Sequence, residues 1–207
     1  KMSKKILFLT GTRADFGKIK SLIQILEAHP EFEPFIFVTG MHLQKEYGFT
    51  LLEVERCGFS NIHTFENHTH ETTMDLTLAK TIEGLSAYVK QCEPDMIVIH
   101  GDRVEALAGA IVGSLNNILV SHIEGGEVSG TIDELIRHST SKMSHVHFVS
   151  NKQAKKRLIQ MGELENAIFT IGSPDVDIMF STTLPNLETA KQRINYILII
   201  NKLQYFI

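Results

Sequence analysis

The residues most able to do chemistry are three carboxylates set among glycines. His100-Gly-Asp-Arg103, His122-Ile-Glu-Gly-Gly-Glu127 and Ser129-Gly-Thr-Ile-Asp-Glu-Leu-Ile-Arg-His138 carry Asp102, Glu124 and Asp133 in close succession. Carboxylates in pairs supply general acid and base, and a neighbouring Asp102 or Asp133 would raise the pKa of Glu124. Upstream, Gly11-Thr-Arg-Ala-Asp-Phe-Gly-Lys18 joins a strand-like run to a helical one. Its glycines let backbone approach a ligand, and a following helix N-terminus offers free N–H groups to an anion. Arg13 and Lys18 there, with Arg103, suit a diphosphate. Neither the G-x-G-x-x-G dinucleotide pattern nor a P-loop ending is present, and no nucleophile elbow accompanies the acids. The chemistry these types allow is metal-independent proton transfer or elimination on a phosphorylated, nucleotide-linked substrate.

Each stretch also has a structural reading. Asp102 is placed to N-cap a helix beginning near Val104. Thr131 and Glu134 fit a capping box, which puts Asp133 in the first helical turn with Arg137 at i, i+4 from it. The Gly11–Lys18 stretch reads equally as a plain turn with two solvated cations, and Glu124 as an exposed acid in a bulged loop. His68-x-His70 and His145-x-His147 invite a metal, but without H-E-x-x-H they read as satisfied or exposed histidines. Met74, Met143 and Met161 read as core.

The elements that must position these residues alternate. Strand-like apolar runs cover Ile6–Thr10, Phe35–Thr39, Met96–His100, Ile118–Ile123, Val146–Ser150 and Ile168–Ile171. Between them, Ile19, Leu22, Ile23 and Leu26 recur at helical spacing, as do Val104, Leu107, Ala108 and Ile111. Leu78, Ile82, Leu85 and Val89 line a third helix that Pro94 must end. The alternation predicts an α/β fold, a doubly wound, Rossmann-like parallel sheet, in which ligands bind beyond the carboxyl ends of the strands. The three acids follow such ends.

The chain has 207 residues, 20 Lys+Arg against 24 Asp+Glu, 43% apolar and 21% charged residues. That composition excludes wholesale disorder, and its mild acidity argues against a nucleic-acid partner. Cys57 and Cys92 are too few for a disulfide framework and point to the cytoplasm. No apolar run reaches the roughly 18 residues of a spanning helix, so no membrane partner is expected. No signal-peptide architecture precedes Ile6. After Pro185, a helix-like stretch over 186–193 gives way to an apolar run ending at Ile207. That run reads either as a last buried strand or as a non-native end.

Taken together, Gly11–Lys18, Thr39-Gly-Met-His42, His100–Arg103, His122–Gly126, Ile136-Arg-His-Ser139 and Gly172-Ser-Pro-Asp175 resemble the UDP-N-acetylglucosamine 2-epimerases. The Gly-Asp-Arg and Gly-Thr-Arg-Ala-Asp forms resemble the hydrolysing branch, which makes N-acetylmannosamine and UDP for sialic acid. The resemblance implies anti elimination of UDP across C1–C2 to a 2-acetamidoglucal, then hydration from the opposite face. It implies Asp102, Glu124 and Asp133 as acid/base residues, with no metal or nicotinamide cofactor. Arg13, Gly17 and Arg103 then contact the nucleotide sugar with Lys18 as a neighbour, and Arg137 holds the Asp133 region.

The family joins two α/β domains in a GT-B architecture, with substrate between them. Only the first is recognisable, as residues 1–185; 186–207 read as an atypical apolar tail, with the second domain absent. That domain would supply most uracil and diphosphate contacts and a cleft histidine, so little turnover is expected of this chain alone. Open alternatives are a UDP-diacetamido-trideoxy sugar as substrate, a non-catalytic remnant, and half of a GT-B glycosyltransferase, against which the motifs argue. A homodimer is implied, with the Thr73–Cys92 helix as a candidate surface.

Overall fold

The computed structural model describes residues 3–68 and 73–180. His70 and the sequence beyond Phe180, including the apolar run, lie outside them. Seven parallel strands are described: β1 (Lys4–Thr10), β2 (Phe32–Val38), β3 (Ile62–Thr64), β4 (Met96–His100), β5 (Leu119–Ile123), β6 (Val146–Val149) and β7 (Ile168–Thr170). They run β3-β2-β1-β4-β5-β6-β7 across the sheet. The helices between them are α1 (Arg13–Glu27), α2 (Leu51–Glu55), α3 (Met74–Cys92), α4 (Val104–Leu115), α5 (Ile132–Lys142) and α6 (Lys152–Gln160). This is the doubly wound α/β fold expected from the sequence. The described residues through Ser173 form one compact unit, and α7 (Pro174–Met179) belongs to a second.

The continuous apolar character of the central strands follows from burial on both faces. Along β1, Ile6 and Phe8 pack with Phe16, Ile19 and Ile23 of α1, whereas Leu7 and Leu9 pack with Leu85 and Val89 of α3 and Ala106 and Ala110 of α4. Sequence periodicity assigns α4 the face Val104, Leu107, Ala108, Ile111. The buried set is instead Val104, Ala106, Ala108, Ala110 and Val112. A helix wedged between the sheet, α3 and α5 is covered nearly all round, so no single stripe marks it. Small residues make this possible: a Cβ on Gly109 would lie 2.6 Å from a methyl of Ile99. Helix α3 ends at Cys92 with Glu93 in the left-handed region at φ 48°, just ahead of Pro94. Strand β3, three residues long at the sheet edge, has no counterpart in the sequence reading.

Chain order reverses between β1 and β4, the position at which a doubly wound sheet opens a crevice at its carboxyl edge. Thr10, His100 and Ile123 end the three strands around it.

Candidate functional site

Glu124 follows β5 directly and sits in the left-handed region at φ 63°. That conformation costs a non-glycine residue about 1–2 kcal/mol and turns the side chain out of the ladder. Two side chains meet the same carboxylate oxygen: Lys18 Nζ donates to Oε2 at 2.9 Å, and His100 Nε2 lies 2.8 Å from it. Ser173 Oγ donates to Oε1 at 3.3 Å. The His100 hydrogen bond, with Lys18 behind it, outweighs burial and holds Glu124 at about 2. The sequence expectation of a raised pKa is therefore reversed, because the His100 hydrogen bond and the Lys18 ammonium, and not a second carboxylate, meet the group. Gly126 must be glycine: at φ 80°, a Cβ there would lie 2.6 Å from the Ala154 carbonyl oxygen.

Asp102 lies in the turn after β4, and it does not cap α4. Arg103 holds the N-cap position, and no side chain bonds there. The Asp102 carboxylate is instead bound by Nη2 of Arg137, which is itself 8% exposed and donates through Nη1 to the Glu127 carbonyl at 3.0 Å. The expected i, i+4 pair of Arg137 with Asp133 is thus not formed. Asp133 is exposed, accepts from Thr131 Oγ1 at 3.2 Å, and has no cationic partner among the described residues. It does fall in the first turn of α5, with Thr131 at the N-cap, but the capping box does not close. Glu134 reaches further back, accepting from the N–H groups of Ser129 at 2.7 Å and Gly130 at 2.6 Å.

The turn is locked from beneath by His122. Its Nε2 donates to the Gly101 carbonyl at 2.7 Å, and its Nδ1 lies 2.9 Å from Ser141 Oγ. Complete burial pushes the ring down to about 3, so the imidazole is neutral and its tautomer is set by the Gly101 carbonyl.

At the β1 end, the Gly11 loop is held by an acid that the sequence reading passed over. Asp15 accepts from Gly11 N–H at 3.0 Å and Thr12 N–H at 3.2 Å, and from Thr10 Oγ1, while Thr12 caps the Asp15 N–H in return. His42 bridges Thr10 Oγ1 at 3.0 Å and Thr50 Oγ1 at 2.8 Å. The N-terminus of α1 is therefore a closed capping box. Arg13 points out of it, 73% exposed, and pairs with Glu53 at 3.0 Å. Gly17 lies on the exposed side of α1, where a Cβ would meet nothing within 4 Å. The plain-turn reading of two solvated cations holds for Arg13 and fails for Lys18, which is bound to Glu124.

Asp102, Arg103 and Asp133 share a cleft of about 210 Å³ with His68, Met74, Thr77 and Val104. Glu124 stands at the end of the next strand, β5, and meets Lys18 of α1 and His100, two residues before Asp102. His100, His68, Ser173 and Glu105 are the site residues the sequence reading left out as candidates. His100 had a signal, since it opens the Gly-Asp-Arg motif. The His145/His147 pair is structural: His145 Nδ1 accepts from Val120 N–H at 3.0 Å, and His147 lies 3.3 Å from Glu163. Among the described residues no helix is long and apolar enough to cross a membrane.

A family profile described as UDP-N-acetylglucosamine 2-epimerase matches residues 24–206. A UDP-N-acetylglucosamine 2-epimerase of Neisseria meningitidis serogroup B is 53% identical over 189 residues, covering 91% of this chain and 50% of that one. A hydrolysing UDP-N,N'-diacetylbacillosamine 2-epimerase of Legionella pneumophila is 37% identical over 200 residues, covering 94% and 52%. Among solved structures, a UDP-GlcNAc 2-epimerase of Methanocaldococcus jannaschii in complex with UDP-GlcNAc and UDP superposes with a TM-score of 0.79 at 27% identity, over 96% of this chain and 53% of that one. The chain spans about half the length of the curated relatives it matches.

Proposed function

The chain belongs to the UDP-N-acetylglucosamine 2-epimerase family, and from that premise we propose that it carries the acid–base half of a hydrolysing UDP-sugar 2-epimerase. The reaction is UDP-N-acetylglucosamine plus water to N-acetylmannosamine plus UDP. A carboxylate takes the C2 proton as the C1–O bond breaks and UDP leaves, giving 2-acetamidoglucal. Water then returns a proton to C2 on the opposite face and a hydroxyl to C1. The observation that carries this reading is the cleft at the β1/β4 reversal, where two acids, Asp102 and Asp133, face Arg103.

Within it the acids have different surroundings, which suits different steps. Glu124 stays ionised beside His100 and Lys18. Asp133, with no cation on it among the described residues, is open to exchange a proton with substrate, and Asp102 is fixed in direction by Arg137. Arg103 and Lys18 hold the diphosphate, with Arg13 and the Gly17 backbone beside it. The setting proposed is the cytoplasm, which suits the free thiols Cys57 and Cys92, and the assembly a homodimer through α3. Residues 1–185 constitute the acid–base domain in this proposal, half of a GT-B architecture.

The test is turnover of UDP-N-acetylglucosamine in D2O by the protein that carries this sequence. The expected products are UDP and N-acetylmannosamine bearing one deuterium at C2, because the proton removed is not the one returned. Release of UDP without deuterium at C2 would overturn the elimination route. The 37% identity to a hydrolysing diacetylbacillosamine epimerase favours a second substrate reading, a UDP-diacetamido-trideoxy sugar. The higher kcat/KM of the two substrates, measured side by side, decides between them, and no turnover of either leaves the non-catalytic remnant.

A further inference from the structure

Glu105 is a buried acid that the proposed chemistry does not use. It opens α4, is 2% exposed, and carries its carboxylate under three separate loops. Arg103 Nε donates to its Oε2 at 3.2 Å, and Asn67 Nδ2 lies 3.5 Å from its Oε1. A Cβ on Gly11 would lie 3.1 Å from the carboxylate carbon, and one on Gly40 would lie 2.7 Å from Oε1. Asn67 in turn accepts the Gly40 N–H at 3.1 Å and donates to Thr81 Oγ1 at 2.9 Å. The helix dipole favours an acid in this first turn, but a dipole asks only for an exposed carboxylate. It accounts neither for burial nor for two glycine loops packed on the charge, and a buried charge is retained only where it is paired.

The guanidinium geometry supplies a reason. With Nε–H anchored on Glu105, the two Nη groups of Arg103 meet no acceptor among the described residues, and the side chain is 35% exposed in the cleft wall. A guanidinium fixed through Nε presents its Nη fork as a bidentate anion clamp with little rotamer entropy left to lose. We infer that Glu105 is a positioning residue: it aims Arg103 at the diphosphate of the bound nucleotide and sets the floor on which the Gly11 loop approaches the same group. This rests on the UDP-sugar reading above.

A positioning role acts on binding, so it separates from a structural one by which constant moves. Glu105→Gln is expected to raise the Kd for UDP and the KM of the sugar nucleotide about tenfold, the size of one charge-assisted hydrogen bond, while kcat stays within about threefold. Arg103→Ala should raise the Kd for UDP by the same amount, and the double variant by no more than either alone, because both remove one clamp. Additive losses, or an unchanged UDP affinity in Glu105→Gln, overturn the inference. Should Glu105→Gln fold poorly, Arg103→Lys asks the same question from the other end. It keeps the charge and loses the Nε anchor, so it must bind UDP as weakly as Arg103→Ala, and near-native affinity overturns the proposal. UDP binding without turnover in the unsubstituted protein sinks the epimerase reading alone and leaves this one standing.

Discussion

Asp15 and Glu124 both stand just past a strand at the sheet's carboxyl edge, and both are largely buried, yet they are held in opposite ways. Asp15 is saturated by groups within five residues of itself: the N–H of Gly11, the N–H of Thr12 and the hydroxyl of Thr10. Glu124 is held by side chains from elsewhere, Lys18 at a sequence separation of 106 residues and His100 at 24. Local backbone donors make an acid part of the fold, because they have no other acceptor to turn to. Long side chains from other elements can let go when a better anion arrives, and a diphosphate is such an anion for Lys18. The strained backbone of Glu124 fits this, since strain persists where the surrounding structure over-determines it and clusters at functional sites.

The largest expected effect breaks the comparison from both sides. Glu124→Gln keeps the shape and removes the charge, so turnover should fall about 10³-fold, as for loss of a general acid–base group, in a protein that still folds but loses the stability of its Lys18 and His100 contacts. Asp15→Ala leaves two N–H groups without their acceptor, and its cost should be about 2 kcal/mol of stability with turnover kept wherever the protein is folded. Thermal melts and initial rates on both variants decide it. Lost turnover with an unchanged midpoint in Asp15→Ala would place that acid in the chemistry.

The next effect sharpens it by pH. His122 is held near 3 by burial, against 6.5 in the unfolded chain, so below pH 6.5 the unfolded state takes up the proton and folding weakens. From pH 7 to pH 5 this removes about 2 kcal/mol. His147, lowered by its own burial, adds to the same slope. Glu124 acts with the same sign but in a lower window. Its pKa is lowered to about 2 from 4.5, so its contribution is intact above pH 4.5 and lost only as pH falls from there toward 2. Urea unfolding at pH 7, 6 and 5 should therefore show a slope that His122→Gln reduces and Glu124→Gln leaves alone.

What was legible in the sequence follows the range of the interactions. Strand β4 was read to the residue, because its apolar run is bounded by Pro94 and Gly101, both local signals. The order of elements was also read, with Asp102 and Glu124 just past strands and Asp133 in the first turn of α5, since alternation and capping need no long-range knowledge. The partners of those acids were not. Arg137 satisfies the i, i+4 rule with Asp133, yet it bonds to Asp102 on another element, and helix spacing carries no information about that choice. Lys18 on Glu124 is equally invisible. One miss was legible in principle: Thr12-x-x-Asp15 has a capping-box spacing, and it forms, whereas the expected box at Thr131-x-x-Glu134 has the same spacing and does not. The difference is that Ser129 and Gly130 offer Glu134 two N–H groups in a turn just before the helix.

The smallest effect concerns the one proposed contact that involves no side chain. Gly17 lies within α1, where glycine costs about 1 kcal/mol against alanine, and a Cβ there meets nothing within 4 Å among the described residues. Gly17→Ala should therefore raise stability by up to that amount. If the space beside α1 is where the nucleotide sugar lies, next to Lys18, the added methyl must also raise KM several-fold while leaving the acids and their pH slopes untouched. A gain in thermal midpoint with KM unchanged would show that the open space is solvent, and would move the nucleotide contact from the Gly17 backbone to Arg103 and Lys18 alone.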